Sequence, residues 1–266
     1  MSQQSHRSDP WILNRRTLQR DHPYLARVLR TGIDILDVGC GTGALTADIA
    51  KAVGPDGMAL GIDRDDANLA VAVQQYGRTG NLRFEGADIL TLGDRFDNRF
   101  DIVTAARTIQ WISDPQRAIV HMKNAAKPGG RVIVLDYNLD ETRWEPQPPA
   151  DFQQFYRAFL DWRNVNHWDN QMASHLTGFF HSAGLVDIAS HPSDEVVRRS
   201  DPDFFDAYAS GIWLYVIQTL GPSLVQAGFL EENVRLRAEE EYGTYIQHAL
   251  RLQRHSMLTV EGRIPC

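Results

Sequence analysis

Cysteine is scarce. The chain has two, Cys40 and Cys266, so at most one bridge is available and no cysteine-based metal motif exists. No apolar run approaches membrane-spanning length. Basic charge is in deficit, with 27 Lys and Arg against 34 Asp and Glu for a net charge of -7. That disfavours a general nucleic-acid binder, which needs clustered cations on one face. There is no G-x-x-x-x-G-K-[ST] phosphate loop, which weighs against a nucleotide hydrolase, and no H-E-x-x-H pair. His175 and His181 are six apart and do not share a helical face, so no metal site is expected. Residues 2–9 are polar and carry no apolar signal region, which makes a cytoplasmic enzyme the expectation. No repeat or low-complexity tract is visible.

What is present is a regular alternation of short apolar runs and helical segments. A length of 266 residues suits one α/β domain with insertions, or one domain plus a small lobe. A helical lead-in covers 11–31, with Pro23 restarting a helix. Strands are expected at 33–38, 58–62, 81–86, 100–105 and 131–137, with helices at 43–53, 66–78 and 114–126 between them. This βα alternation requires a mostly parallel sheet with helices on both faces. Residues 138–150, with Pro146, Pro148 and Pro149, read as a loop. Phe152, Phe155, Tyr156, Phe159 and Trp162 then recur at helical spacing. A helix over 169–183 and a strand over 185–191 follow, then helical segments over 203–220, 223–227 and 231–252, and a last strand over 256–264.

The organising stretch is Ile35-Leu36-Asp37-Val38-Gly39-Cys40-Gly41-Thr42-Gly43. A buried strand enters it, and glycines at alternate positions suit a tight strand-to-helix turn where a ligand meets bare backbone. Free N–H groups at the following helix can face a carboxylate. Asp63 ends the second strand, where a carboxylate can accept both hydroxyls of a ribose. Alternatively, Asp63, Asp65 or Asp66 caps the next helix. Asp88 and Ile89 follow the third strand, and Thr104 to Trp111 follows the fourth with small residues at Ala105 and Ala106.

In order and spacing these segments resemble class I S-adenosylmethionine-dependent methyltransferases of the small-molecule type. D-V-G-x-G-x-G resembles the family's first motif, Gly61-Ile62-Asp63 its second, and Ala87-Asp88-Ile89 its third. The longer G-x-G-x-x-G dinucleotide spacing is absent, since Ala44 stands where a further contact would fall. The resemblance covers most of 33–137 and only weakly the C-terminal strands. It implies a Rossmann-like sheet of seven strands, the last antiparallel, with S-adenosylmethionine as cofactor. It also implies a cofactor set of Asp37, Gly39, Cys40, Gly41, Gly43, Asp63, Arg64, Asp88, Ile89, Ala105 and Ala106. Within that set Asp63 takes the ribose, Asp88 the adenine amino group, and Ile89 packs the ring.

Methyl transfer from a sulfonium is a direct displacement that relies mostly on proximity, so catalytic residues are less legible than cofactor residues. Asn164 to Asp169 is a polar and aromatic knot between two helices. His167 there is either a base oriented by Asp169 or part of an interhelix turn that Asp169 caps. Tyr137, beside Asp136 at the end of the fifth strand, is a further catalytic candidate. Arg107, Gln110, Trp111, Tyr156, Tyr208 and Trp213 are candidates for the acceptor site. Arg107 serves either an acceptor carboxylate or lid acids.

The expected organisation is a lead-in over 1–32, a cofactor core over 33–137 and a lid insertion over 138–168. A return to the core over 169–200, a helical lid insertion over 201–252 and the last strand over 253–266 complete it. Late helical insertions at the carboxyl edge of an α/β sheet suit a substrate lid. The expected activity is methyl transfer to a small apolar or aromatic acceptor, by a monomer or homodimer without nucleic-acid or membrane partners. Two alternatives stand beside it: a protein or nucleic-acid methyltransferase, and a cofactor-binding regulatory module without transfer activity.

Overall fold

Period-two alternation along the short strands sends successive side chains to opposite faces of one sheet. The computed structural model describes residues 10–201, 205 and 212–266. The lead-in is three short helices: α1 (Pro10–Leu13), α2 (Leu18–Asp21) and α3 (Pro23–Val28). Then come β1 (Asp34–Val38), α4 (Ala44–Val53), β2 (Met58–Asp63), α5 (Asp66–Tyr76), β3 (Leu82–Gly86), β4 (Phe100–Ala106) and α6 (Pro115–Ala125). Next are β5 (Ala126–Glu145), α7 (Ala150–Val165), α8 (Met172–Ser182), β6 (Val186–Pro192) and β7 (Glu195–Arg198). The chain ends with α9 (Ile212–Thr219), α10 (Gly221–Gln226), α11 (Glu232–His248) and β8 (Leu252–Arg263).

Among the described residues the sheet has eight strands in the order β3-β2-β1-β4-β5-β8-β6, with β7 also pairing β8. Pairings among β1 to β5 along this path are parallel, and β6 and β7 run antiparallel to β8. This is the expected Rossmann-like α/β fold, with one strand more than the resemblance implies. The expectation of a loop over 138–150 is not met, because β5 continues to Glu145. Thr142 and Trp144 are buried while Glu141, Arg143 and Glu145 are exposed, which is strand periodicity, and the prolines begin only at Pro146.

The chain divides into two compact units. The first contains Met1–Asp136, Met172–Ser193 and Leu258–Cys266. In it Leu36, Leu60, Val103 and Val132 lie in one core cluster, with Met122 of α6 and Leu176 of α8. Their chain neighbours Ile35, Ala59, Ile102 and Ile133 lie in another, with Leu25 of α3 and Ile49 of α4. Both faces are thus covered, as a parallel sheet requires. The second unit contains Tyr137–Gln171 and Asp194–Met257. Its core is aromatic: Phe152 stacks on Tyr242 at 3.9 Å, and Trp213 meets Tyr156 edge-on at 4.8 Å and Phe159 at 5.5 Å. No helix among the described residues is long and apolar enough to cross a membrane.

Candidate cofactor and acceptor sites

The strand order places β1 beside β4 and β2, so the connections after β1 and β4 leave the sheet in opposite directions. In open α/β sheets that switch point, at the carboxyl ends of the strands, is where ligands bind. Register aligns the ends: Val38 lies opposite Ile62 and Ala105, and Asp63 lies opposite Gly86. The glycine turn, Asp63, the Asp88 loop and Ala105-Ala106 therefore share one edge of the first unit.

The turn is folded by its own backbone. Gly39 N and Cys40 N donate to Ile62 O at 2.8 and 3.0 Å, and Gly43 N donates to Cys40 O at 3.0 Å. Gly41 N donates to Asp63 Oδ2 at 2.8 Å. The N–H groups of Gly39, Cys40, Gly41 and Gly43 are thus used within the turn and on Asp63. Gly41 has φ +55°, and a Cβ there would lie 2.8 Å from Leu13 Cδ1. Gly43 has φ +79°, and a Cβ there would lie 2.5 Å from Phe84 Cζ. These positions need glycine for backbone conformation and for close packing against Leu13 and Phe84. Thr42, which the sequence reading passed over, is fully buried and its Oγ1 has no hydrogen-bond partner. A buried hydroxyl left unmatched at this turn is an exception that calls for a partner.

Asp63 does not cap α5. Asp65 does, accepting from Ala67 N at 3.0 Å and Asn68 N at 3.2 Å. Asp63 instead receives Gly41 N on one oxygen and Asp65 N on the other, at 2.8 and 2.9 Å. Each oxygen retains capacity for another donor, so a ribose diol fits. Asp88 Oδ1 accepts from Leu90 N at 2.8 Å and opens a short helix in which Ile89 is buried. Ala105 and Ala106 are buried in β4. Asp37 is also buried and accepts from Thr46 Oγ1 at 2.7 Å. Burial raises its pKa to about 6, with the Asp63 charge adding to the rise and the Thr46 bond and Arg16 opposing it. Burial and the charges of Asp37 and Asp63 push the Cys40 thiol up, so it stays protonated and is no nucleophile. Arg64 lies between Asp63 and the Asp65 cap, on the exposed side of the turn.

The lead-in is tied to β4 by buried polar groups. Arg107, at φ +58°, donates from Nη1 to Asp21 O at 2.8 Å and pairs with the Asp21 carboxylate at 3.6 Å. Asp21 also receives Thr17 N at 2.7 Å and Arg20 Nε at 3.0 Å. Burial raises the Asp21 pKa, but Arg107, the Thr17 bond, Arg16 and Arg20 outweigh it and hold it below the ordinary value. His22 Nε2 lies 3.2 Å from Thr104 Oγ1, whose hydrogen goes to Ile133 O at 2.9 Å. Burial, then the neighbouring Arg107, lowers the His22 pKa to about 3 against the opposing pull of Asp21. The structure thus gives Arg107 a buried partner in Asp21 of the lead-in.

Gln110 is buried, and its N–H donates to Asp136 Oδ2 at 3.0 Å. Trp111 ends the short helix that carries Gln110. In the second unit, Tyr137 meets the His255 ring edge-on at 5.7 Å. Tyr156 is buried, its hydroxyl 2.7 Å from Leu139 O and 3.0 Å from Thr142 Oγ1, and burial pushes its pKa up. Trp213 is buried among Trp144, Phe152, Tyr156 and Phe159. Tyr208 lies outside the described residues.

His167 is exposed at φ +60°, and its N–H donates to Asn164 O at 3.0 Å. Asp169 Oδ1 accepts from Gln171 N at 2.8 Å. These are the contacts of an interhelix turn. The knot is centred on Arg163 and Asn170, both buried, with Arg163 Nε donating to Asn170 Oδ1 at 2.7 Å. The sequence signal available for that pairing was the polar Asn164 to Asn170 run itself.

Residues 29–184 match the family model described as a methyltransferase domain. Over 113 residues the chain is 36% identical to the ubiquinone/menaquinone biosynthesis C-methyltransferase of Idiomarina loihiensis, covering 41% of this chain and 45% of that protein. Over 132 residues it is 34% identical to the demethylmenaquinone methyltransferase of Staphylococcus aureus strain JH9, covering 50% and 52% respectively. The chain thus spans about half the length of these curated relatives. It also shares its fold with phosphoethanolamine N-methyltransferase 2 of Haemonchus contortus, at TM-score 0.57 and 18% identity, covering 94% of this chain and 51% of that one.

Proposed function

Since the chain belongs to the class I S-adenosylmethionine-dependent methyltransferases, we propose that it transfers the methyl group of that cofactor to a small aromatic acceptor, with a quinol-type ring carbon as target. The observation that supports the cofactor site is the bond between Gly41 N and Asp63 Oδ2, which fixes a carboxylate at the end of β2 against the turn after β1. The relatives named as a ubiquinone/menaquinone biosynthesis C-methyltransferase and a demethylmenaquinone methyltransferase support the acceptor class. The aromatic core of the second unit is chemically suited to handling such a ring.

The residues of the first unit fit the cofactor. Asp63 would hold the ribose hydroxyls, its orientation already set by two backbone donors. Asp88 Oδ2 would accept from the adenine amino group while Oδ1 keeps its bond to Leu90, and Ile89 would pack the ring. Thr42 Oγ1 would meet a polar atom at the methionine end. Bound there, the cofactor supplies an electrophilic methyl group on a sulfonium. Because the displacement is driven by alignment, the chain's main work is positioning and exclusion of water.

The test is transfer of a labelled methyl group from S-adenosylmethionine to a panel of benzoquinols, naphthoquinols, simple amines, a peptide library and transfer RNA. Label on the ring carbon of a quinol is expected. Label confined to amines, peptides or RNA would overturn the acceptor class, and no label anywhere despite cofactor binding would favour a regulatory module.

A further inference from the structure

The end of α3, the entry to β1 and the first residues of β4 and β5 surround a cavity of about 490 Å³ in the first unit. Its volume is that of an ordinary small-molecule site. Ile102 of its lining pairs with Ile35 on one side and Arg131 on the other. Ala106, at the cofactor edge, lies four residues further along β4, roughly 13 Å away. The cavity is therefore at the opposite end of the strands from the glycine turn.

The lining carries Arg27, Arg30, Lys127 and Arg131 against one carboxylate, Asp101. In a chain with a net charge of -7 this is a local reversal of sign. Two of the cations are already neutralised. Lys127 Nζ pairs with Asp101 at 2.9 Å and with Asp34 at 3.6 Å. Arg131 Nη1 pairs with Glu261 at 3.3 Å, and that carboxylate also receives the Tyr24 hydroxyl. Even with Asp34 and Glu261 included, the cluster keeps a positive excess, and Arg27 and Arg30 carry it. Among the described residues neither of these two pairs with a carboxylate. Arg27 lies over the Tyr24 ring at 5.4 Å, a face contact that leaves its N–H groups available. Both arginines are exposed, so those donors are within reach of a ligand.

Two guanidinium groups without counter-ions, bordering one concavity, suit a ligand with two negative charges. Each presents a planar fork of donors that matches the oxygens of a phosphate. Val28, Ile33 and Ile102 add apolar surface for an organic portion.

We propose that this cavity binds a phosphate-bearing anion, a monoester or a diphosphate, held by Arg27 and Arg30 with Arg131 beside them. A soluble metabolite and a lipid headgroup both carry such a group. The site goes beyond the proposed methyl transfer and requires neither its cofactor nor its acceptor.

The experiment titrates inorganic pyrophosphate into the full chain by calorimetry at fixed ionic strength. Saturable binding of one pyrophosphate per chain is expected. Arg27→Gln and Arg30→Gln should each weaken it about fivefold or more. Arg78→Gln makes the same charge change at an exposed position outside the cavity, and should leave the affinity within about twofold. A second arm measures sedimentation of the chain with phosphatidylcholine vesicles containing phosphatidic acid. Vesicle binding that both cavity variants lose, without pyrophosphate binding, supports the site and assigns the anion to a headgroup. Melting curves confirm that each variant is folded. No binding in either arm overturns the proposal. So does binding that the cavity variants leave intact, or that Arg78→Gln weakens equally.

Discussion

Gly41 N donates to Asp63 Oδ2 across 2.8 Å, so the turn after β1 and the end of β2 act as one structural piece. The carboxylate is held by a second donor, Asp65 N, before any ligand arrives. The proposed ribose contact would therefore need little rearrangement of Asp63. Leu13 packs on the same turn, and Arg107 and His22 tie the lead-in to β4.

Gly41→Ala is expected to destabilise the chain by about 1–3 kcal/mol, through left-handed backbone and overlap with Leu13. Adding Leu13→Ala should relieve the overlap but not the backbone strain. Denaturant midpoints of the single and double variants test this. A single variant as stable as the wild type would contradict the packing assigned to the turn.

Asp37, with its pKa raised to about 6, should make cofactor binding pH-dependent. A cationic ligand favours the ionised carboxylate, so binding near pH 6 should release protons, and affinity should rise from about pH 5 to about pH 7. Calorimetry in buffers of different ionisation enthalpy measures the release. Asp37→Asn should abolish it.

His22 is held neutral, its pKa lowered from 6.5 to about 3. The unfolded chain therefore binds more protons between those values, and this residue's contribution is lost as pH falls from about 6.5 toward 3. His22→Asn should flatten the fall in stability across that window, whatever its effect at neutral pH. An unchanged slope in urea titrations would remove His22 as a source of acid sensitivity.

Arg107→Met removes the buried guanidinium beside Asp21 and leaves the carboxylate to Arg20 and Thr17 N. A loss of about 1–3 kcal/mol is expected, since one charged partner of a buried carboxylate is lost while others remain. Asp21→Asn in the same chain should recover part of it. Equilibrium unfolding of the two singles and the double provides the coupling.

Much of the first unit was legible because its signals are local. Gly54, the Asp65 cap and Pro115 punctuate helices where the sequence places them. Period-two apolar runs mark β1, β2 and β4. The extension of β5 was hidden by Pro146, Pro148 and Pro149, whose turn chemistry outweighed the quieter alternation at Thr142 and Trp144. Long-range polar pairs were invisible for a different reason. Arg107 and Asp21 are 86 positions apart, and no local pattern joins them. Thr42 and Gln253 stand out only once folding has buried them and left an atom unmatched. His167, conspicuous in sequence, owes its place to a turn that needs a left-handed residue.

Calorimetric titration of S-adenosylmethionine into the wild-type chain and Asp63→Ala, with melting curves to confirm that both are folded, is the most direct test of the cofactor site. One molecule should bind per wild-type chain, and the variant should bind about tenfold or more weakly. No binding by the folded wild-type chain, or equal affinity in the folded variant, would contradict the site assigned to Gly41 and Asp63.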